Sequence, residues 1–219
     1  MLEPGIPPAL LRLRAVLIFF LASIVLAPEL GTMKHLAQEA LDELVDKALA
    51  GDRTAFSTLV RQLMGPIAAL TYRMTGDRDA SLDLAQDTFV AAWENRESFR
   101  REAGFTSWLY RIASNKTLNY LKSHKRQSPT GEIDLAEASA ANSDPEQDFV
   151  KKELASKVLG FTAGLPDQQR LIFDLRFYKE MSFQEIAEMT GRALGTVKTG
   201  YREAIIKLRK HALEKGWQL

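Results

Sequence analysis

Three histidines, His35, His124 and His211, lie far apart in a chain of 219 residues that has no cysteine. No glycine-rich phosphate loop and no Ser/His/Asp spacing accompanies them. The residue types therefore suggest no catalytic set, no metal site and no cofactor, and neither an enzyme nor a small-molecule substrate is expected. What they can do is recognise a polyanion. Arg192, Thr196, Lys198, Thr199 and Arg202 fall off the apolar stripe formed by Val197, Tyr201, Ala204 and Leu208. Cations at that spacing suit phosphates, and threonines suit base edges or a thymine methyl group. From Arg192 to Lys210 the only acid is Glu203. The whole chain carries a net charge of only +1, so any affinity for nucleic acid rests on charge segregated along it.

The elements that must position these groups are legible around them. Ser182 and Glu185 have the spacing of a capping box, which satisfies free amides of a first helical turn. Phe183, Ile186, Ala187 and Met189 are the apolar positions of a short helix, and Gly191 follows where a tight turn needs no Cβ. A longer basic helix comes next. Helix, glycine turn and basic helix form a helix-turn-helix, whose second helix lies in the major groove of DNA. The alternative is an ordinary helical hairpin with a solvated basic face.

A second basic helix is expected from Thr106, its capping residue. Trp108, Leu109, Ile112 and Ala113 make its packing face, while Arg111, Asn115, Asn119, Lys122 and Arg126 recur every three or four residues on one side. That side is rimmed by Trp108, Tyr110 and Tyr120, and it combines phosphate-binding groups with rings for unpaired bases. The alternative places the aromatics in the core. A charged loop, Asn95 to Gly104, precedes it with one aromatic residue, Phe99.

Upstream, Leu41, Leu44, Val45, Ala48 and Leu49 predict an amphipathic helix stopped by Gly51. Asp52 caps another, carrying Ala55, Phe56, Leu59, Val60 and Leu63, which Gly65-Pro66 breaks or kinks. A third, from about Asp79 to Glu94, turns Leu84, Thr88, Ala91 and Ala92 inward. Its other side shows Asp83, Gln86 and Asp87 beside Phe89 and Trp93; on this stretch alone a solvated face is the plainer reading.

Residues 127–148 are acidic, with Glu132, Asp134, Glu137, Asp144, Glu146 and Asp148 and no Lys or Arg after Arg126. They read as a flexible linker. Helix resumes near Phe149, with Val150, Leu154 and Val158 in register. The expected fold is all-α: two small helical domains, 33–126 and 149–219, joined by this linker, the second ending in the helix-turn-helix. Residues 1–32 stand apart. Ala15 to Pro28 is uncharged and preceded by Arg12 and Arg14, shorter than the roughly 18 apolar residues of a spanning helix. A start at Met33, a membrane tether and a targeting signal are the three readings.

Taken together, ASLDLAQDTFVAAW, FTSWLYRIASNKTLNYLKSHKR and LPDQQRLIFDLRFYKEMSFQEIAEMTGRALGTVKT resemble the extracytoplasmic-function (ECF) class of bacterial RNA polymerase sigma factors, from about Glu39 to His211. The resemblance implies a cytoplasmic protein whose partners are core RNA polymerase, promoter DNA and an anti-sigma factor. It implies that the first domain binds core polymerase and melts the minus-ten element, and that the second reads the minus-thirty-five element. Asp83, Gln86 and Asp87 match the family's polymerase contact. The 95–104 loop matches the one that captures a flipped-out base. Trp108, Arg111, Asn115, Asn119 and Lys122 fall on the promoter-facing helix. Leu82 stands where the family often has an acid, Arg192 replaces an aliphatic residue, and Gly200 and Glu203 occupy positions commonly held by arginine. Gly200 thus removes an expected phosphate contact. The competing class is a helix-turn-helix regulator without a polymerase role.

Overall fold

In a computed structural model, residues 28–127 and 157–216 are described. The apolar run up to Ala27, the acidic linker beyond Gln127, and Phe149, Val150 and Leu154 lie outside them, as do the side chains of His35 and Arg126. All regular structure among the described residues is helical.

Helix α1 spans Pro28–Leu49 and buries Val45 and Ala48. The Asp52 carboxylate accepts hydrogen bonds from the amides of Thr54 and Ala55, at 2.7 and 3.1 Å, and starts α2, Arg53–Thr75. Pro66 does not break this helix. Both Pro66 and Gln62, whose carbonyl loses the amide that proline lacks, lie on the exposed side of the helix. On the inner side Leu59, Ile67 and Leu70 are completely buried and anchor both halves in the core. Gly76, at φ 71°, closes α2 through its amide to the Tyr72 carbonyl, and Asp77 caps α3, Arg78–Glu94.

Helix α4, Phe105–Gln127, begins one residue before the expected cap at Thr106. The amide of Trp108 bonds to the Gly104 carbonyl at 3.1 Å, and Phe105 is itself buried. Two aromatic assignments change. Phe89 is core, edge-on to Phe56 at 6.5 Å, and Tyr110 is 1 % exposed. Ala91, expected inside, is only half-buried, while Ala92 is fully so.

Helical residues 157–163 (α5) lead to α6, Asp167–Phe177. Helix α7, Phe183–Thr190, then turns at Gly191 into α8, Leu194–Glu214. Val158, Phe161, Leu165, Phe173 and Ala204 form a small core belonging to this second unit. The larger core is continuous across both units: Leu171, Ile172, Leu175, Ile186, Met189 and Val197 join the cluster built by α1 to α4. Helix α6 packs on α2 and α4, and α7 packs on α4.

Charged groups sit at this junction. Arg73 donates from Nε and Nη2 to the two carboxylate oxygens of Asp174, the latter bond 3.0 Å long. Arg170 donates to the Thr162 carbonyl on its own side and, at 2.6 Å, to the Met74 carbonyl across the junction. Burial pushes the Asp174 carboxyl above its usual range, and the Arg73 guanidinium pulls it back.

Candidate nucleic-acid interface

Helix α7 is started by the expected capping box. The Glu185 amide donates to Ser182 Oγ at 3.1 Å, and the Ser182 amide donates to Glu185 Oε2 at 2.7 Å. Gly191 takes φ 66°, the left-handed conformation that a Cβ disfavours. Its turn delivers α8 with Val197 and Ala204 wholly buried. Tyr201 packs between Phe183 and Phe173, with centroids at 5.4 and 6.2 Å. This anchoring leaves Thr196, Lys198, Thr199 and Arg202 exposed, and Arg192 half-buried at the turn. The face can offer cations to phosphates and hydroxyls to base edges.

The two departures on α8 look different in three dimensions. Gly200 faces α6, where a Cβ would meet Ile172 Cδ1 at 3.2 Å. An arginine there would start out toward Ile172 of α6 rather than along the exposed face of Lys198 and Arg202, which argues against the expected loss of a phosphate contact. Glu203 accepts a hydrogen bond from Gln169 Nε2 at 2.6 Å, and Lys207 donates to the same glutamine at 2.9 Å.

On α4, Arg111, Asn115, Asn119 and Lys122 are all exposed. Trp108 is half-buried, set against Phe99 and Phe105 with centroids at 5.3 and 5.6 Å. Of the expected rim, Tyr110 is withdrawn into the core beneath Lys179, whose Nζ lies 4.6 Å from the ring centroid. Tyr120 stacks on His124 at 3.9 Å. The loop before α4 arches over the same face. Phe99 roots it in the aromatic cluster, and Arg101, at φ 59°, pairs with Asp46. Loop and helix enclose a cleft of about 790 Å³ lined by Arg100, Arg101, Trp108, Arg111 and Asn115.

On α3, Leu82, Asp83, Gln86, Asp87 and Val90 are exposed together along one stripe. Leu82 is 42 % and Val90 55 % exposed, so the stripe carries apolar surface at both ends of its carboxylates. Asp87 reaches Lys116 of α4 at 3.7 Å, a loose pairing on the rim. Among the described residues no group of His, Asp and Glu could hold a metal ion, and no helix is long and apolar enough to cross a membrane.

Residues 59–127 match the family Sigma-70 region 2, and residues 163–210 match Sigma-70, region 4. An ECF RNA polymerase sigma-E factor of Haemophilus influenzae is 34% identical over 175 residues, covering 75% of this chain and 91% of that protein. This chain belongs to the ECF sigma factors. The sigma-E factor of Escherichia coli is 33% identical over 173 residues, covering 74% of this chain and 90% of its own length. Among solved structures, CnrH in complex with the cytosolic domain of CnrY matches at 26% identity and TM-score 0.57, over 80% of this chain and 96% of that one. The sigma factor RpoE of Bartonella quintana, solved with the anti-sigma factor NepR, has the same fold at 22% identity and TM-score 0.57, over 71% of this chain and 94% of its own. As a sigma factor the protein directs transcription initiation by RNA polymerase.

The exposed apolar residues beside the acids of α3 are what the sequence pattern conceals. Leu82 and Val90 lie at the spacing that, with Asp83, Gln86 and Asp87, makes one helix face. The alternation of apolar and acidic types makes each look like a stray from the core stripe.

Proposed function

We propose that this sigma factor docks on core RNA polymerase through the α3 stripe, opens and holds the minus-ten element on α4, and reads the minus-thirty-five element with α8. The observation that carries this reading is the presence in one chain of two exposed cation-bearing helix faces, Arg111–Lys122 and Thr196–Arg202, beside an exposed mixed apolar and acidic stripe. Arg111 and Lys122 supply phosphate contacts on α4. Asn115 and Asn119 can hydrogen-bond base edges, and Trp108 offers a ring face for an unpaired base. Lys198 and Arg202 on α8, with Arg192 at the turn before it, contact phosphates, while Thr196 and Thr199 touch bases. The chain acts by binding rather than catalysis, in the cytoplasm, with domains at 33–126 and 149–219.

An anti-sigma protein is the proposed regulator, in keeping with the match to CnrH, which was solved with the cytosolic domain of a partner. A helix-turn-helix regulator that ignores polymerase would have no use for the Leu82–Val90 stripe. Run-off transcription with purified core polymerase on a genomic fragment library tests the reading. Discrete transcripts that require this chain support it, and transcripts unchanged by its addition overturn it.

A further inference from the structure

One group on the exposed face of α8 has no part in phosphate binding. Thr196, Thr199 and Glu203 recur at i, i+3 and i+7, so Glu203 continues the strip of the two threonines. All three are exposed, and Glu203 is the only acid between Arg192 and Lys210. A carboxylate on a face that meets DNA is costly opposite a phosphate, so its place there needs a physical account.

The side chain is held from a neighbouring helix. Gln169, in the first turn of α6, donates from Nε2 to Glu203 Oε2 at 2.6 Å, and its own Oε1 accepts from Lys207 Nζ at 2.9 Å. A carboxylate only accepts and an ammonium only donates, so the amide between them can lie one way round. Oε2 is thereby engaged, which leaves Oε1 to accept from outside the chain. A bond between side chains as exposed as Glu203 and Lys207 adds little to the packing of α8 on α6. Fastening the two helices does not account for it.

The major groove offers a carboxylate one good partner. Guanine and thymine present acceptors there, adenine a donor beside the N7 acceptor, and cytosine the N4 amine as its donor. An acceptor-only group therefore suits cytosine and is repelled, in part or wholly, by the other three. Glu203 lies about 6 Å beyond Thr199 along the helix axis, farther from the end that enters the groove. Its side chain is two carbons longer than that of threonine, which makes up part of the distance. Lys207 one turn on, with Lys198 and Arg202 on the opposite edge, offsets the repulsion from flanking phosphates.

We propose that Glu203 is a specificity-determining residue of this sigma factor: braced by Gln169, it accepts a hydrogen bond from the N4 amine of a cytosine in the minus-thirty-five element. An arginine at the same place would select guanine instead. The assignment rests on the reading of α8 as the helix in the groove. Gln169 is a positioning residue that acts through Glu203.

The test uses the full chain assembled with core polymerase and a duplex library randomised across both promoter elements, the bound fraction being sequenced. Wild type enriches cytosine at one upstream position by about tenfold over the other bases. Glu203→Ala abolishes that preference and keeps the others. Glu203→Gln moves it toward adenine, whose N6 and N7 pair with an amide, and Glu203→Arg moves it toward guanine. Gln169→Ala lowers the cytosine enrichment about threefold without changing the base selected. Glu214→Gln, which removes a charge about three turns farther along α8, leaves every preference in place. Glu203→Ala that tightens binding to all sequences alike, or that lowers the melting temperature with base preferences unchanged, overturns the proposal and leaves a repelling charge or a helix tie. If Lys198→Ala and Arg202→Ala also leave affinity and selected sequences untouched, α8 is not the reading helix, a failure distinct from that of Glu203.

Discussion

Gly200 lies against Ile172, so close that a Cβ on the glycine would stand 3.2 Å from the isoleucine Cδ1 methyl. The contact joins α8 to α6 on the side away from the exposed Lys198, Thr199 and Arg202. Glycine inside a helix costs about 1 kcal/mol relative to alanine, and the terminal methyl of Ile172 can swing a few tenths of an ångström. Gly200→Ala therefore raises thermal stability, by up to about 1 kcal/mol. Gly200→Arg leaves the salt dependence of promoter binding unchanged. A slope steeper by about one in log affinity against log salt would show that the arginine reaches a phosphate after all.

Lys198 and Arg202 are both exposed, one turn apart on α8. Replacing either by alanine weakens upstream-element binding and flattens the salt slope by about one. Thr199→Ala instead shifts base preference with the slope kept. Binding isotherms over a salt series on matched and scrambled upstream elements separate the two behaviours.

The α3 stripe predicts an interface with an apolar centre and an acidic rim. Val90→Asp and Asp87→Ala each weaken binding to core polymerase, by about 2 kcal/mol if they sit at its energetic centre. Both residues are exposed, so folding persists. Calorimetric or competition titration against core polymerase, with circular dichroism as the folding control, measures this.

The capping box makes the second domain sensitive to acid. Hydrogen bonds from the Ser182 side chain and backbone hold the Glu185 carboxyl below its ordinary value of 4.5. A carboxylate whose folded value is depressed contributes stability above its unfolded value and loses it as pH falls through the folded one. Wild type is therefore more stable than Glu185→Gln at neutral pH, and the difference shrinks below about pH 4.5. Ser182→Ala costs about 1 kcal/mol at neutral pH. Thermal melts of the three proteins across this range provide the measurement.

The sequence by itself determined what depends on near neighbours. The Ser182–Glu185 box, the Asp52 cap and the turn at Gly191 are contacts within a few residues, and local spacing encodes them. The outward stripes on α3, α4 and α8 follow from helical period alone. Tertiary structure decided the rest. The helical period cannot say that α2 continues through Pro66, which falls on a wet face while Leu59, Ile67 and Leu70 anchor both halves of the helix in the core. Nor can it say that Tyr110, one residue from core Leu109, is also covered, because Lys179 of the other domain lies over its ring. Gly200 reads as a missing arginine until Ile172 is placed beside it. Arg73 and Asp174 stand 101 residues apart, each on a helix that would be amphipathic without the other. Only the packing of α6 on α2 turns two ordinary surface charges into a buried pair.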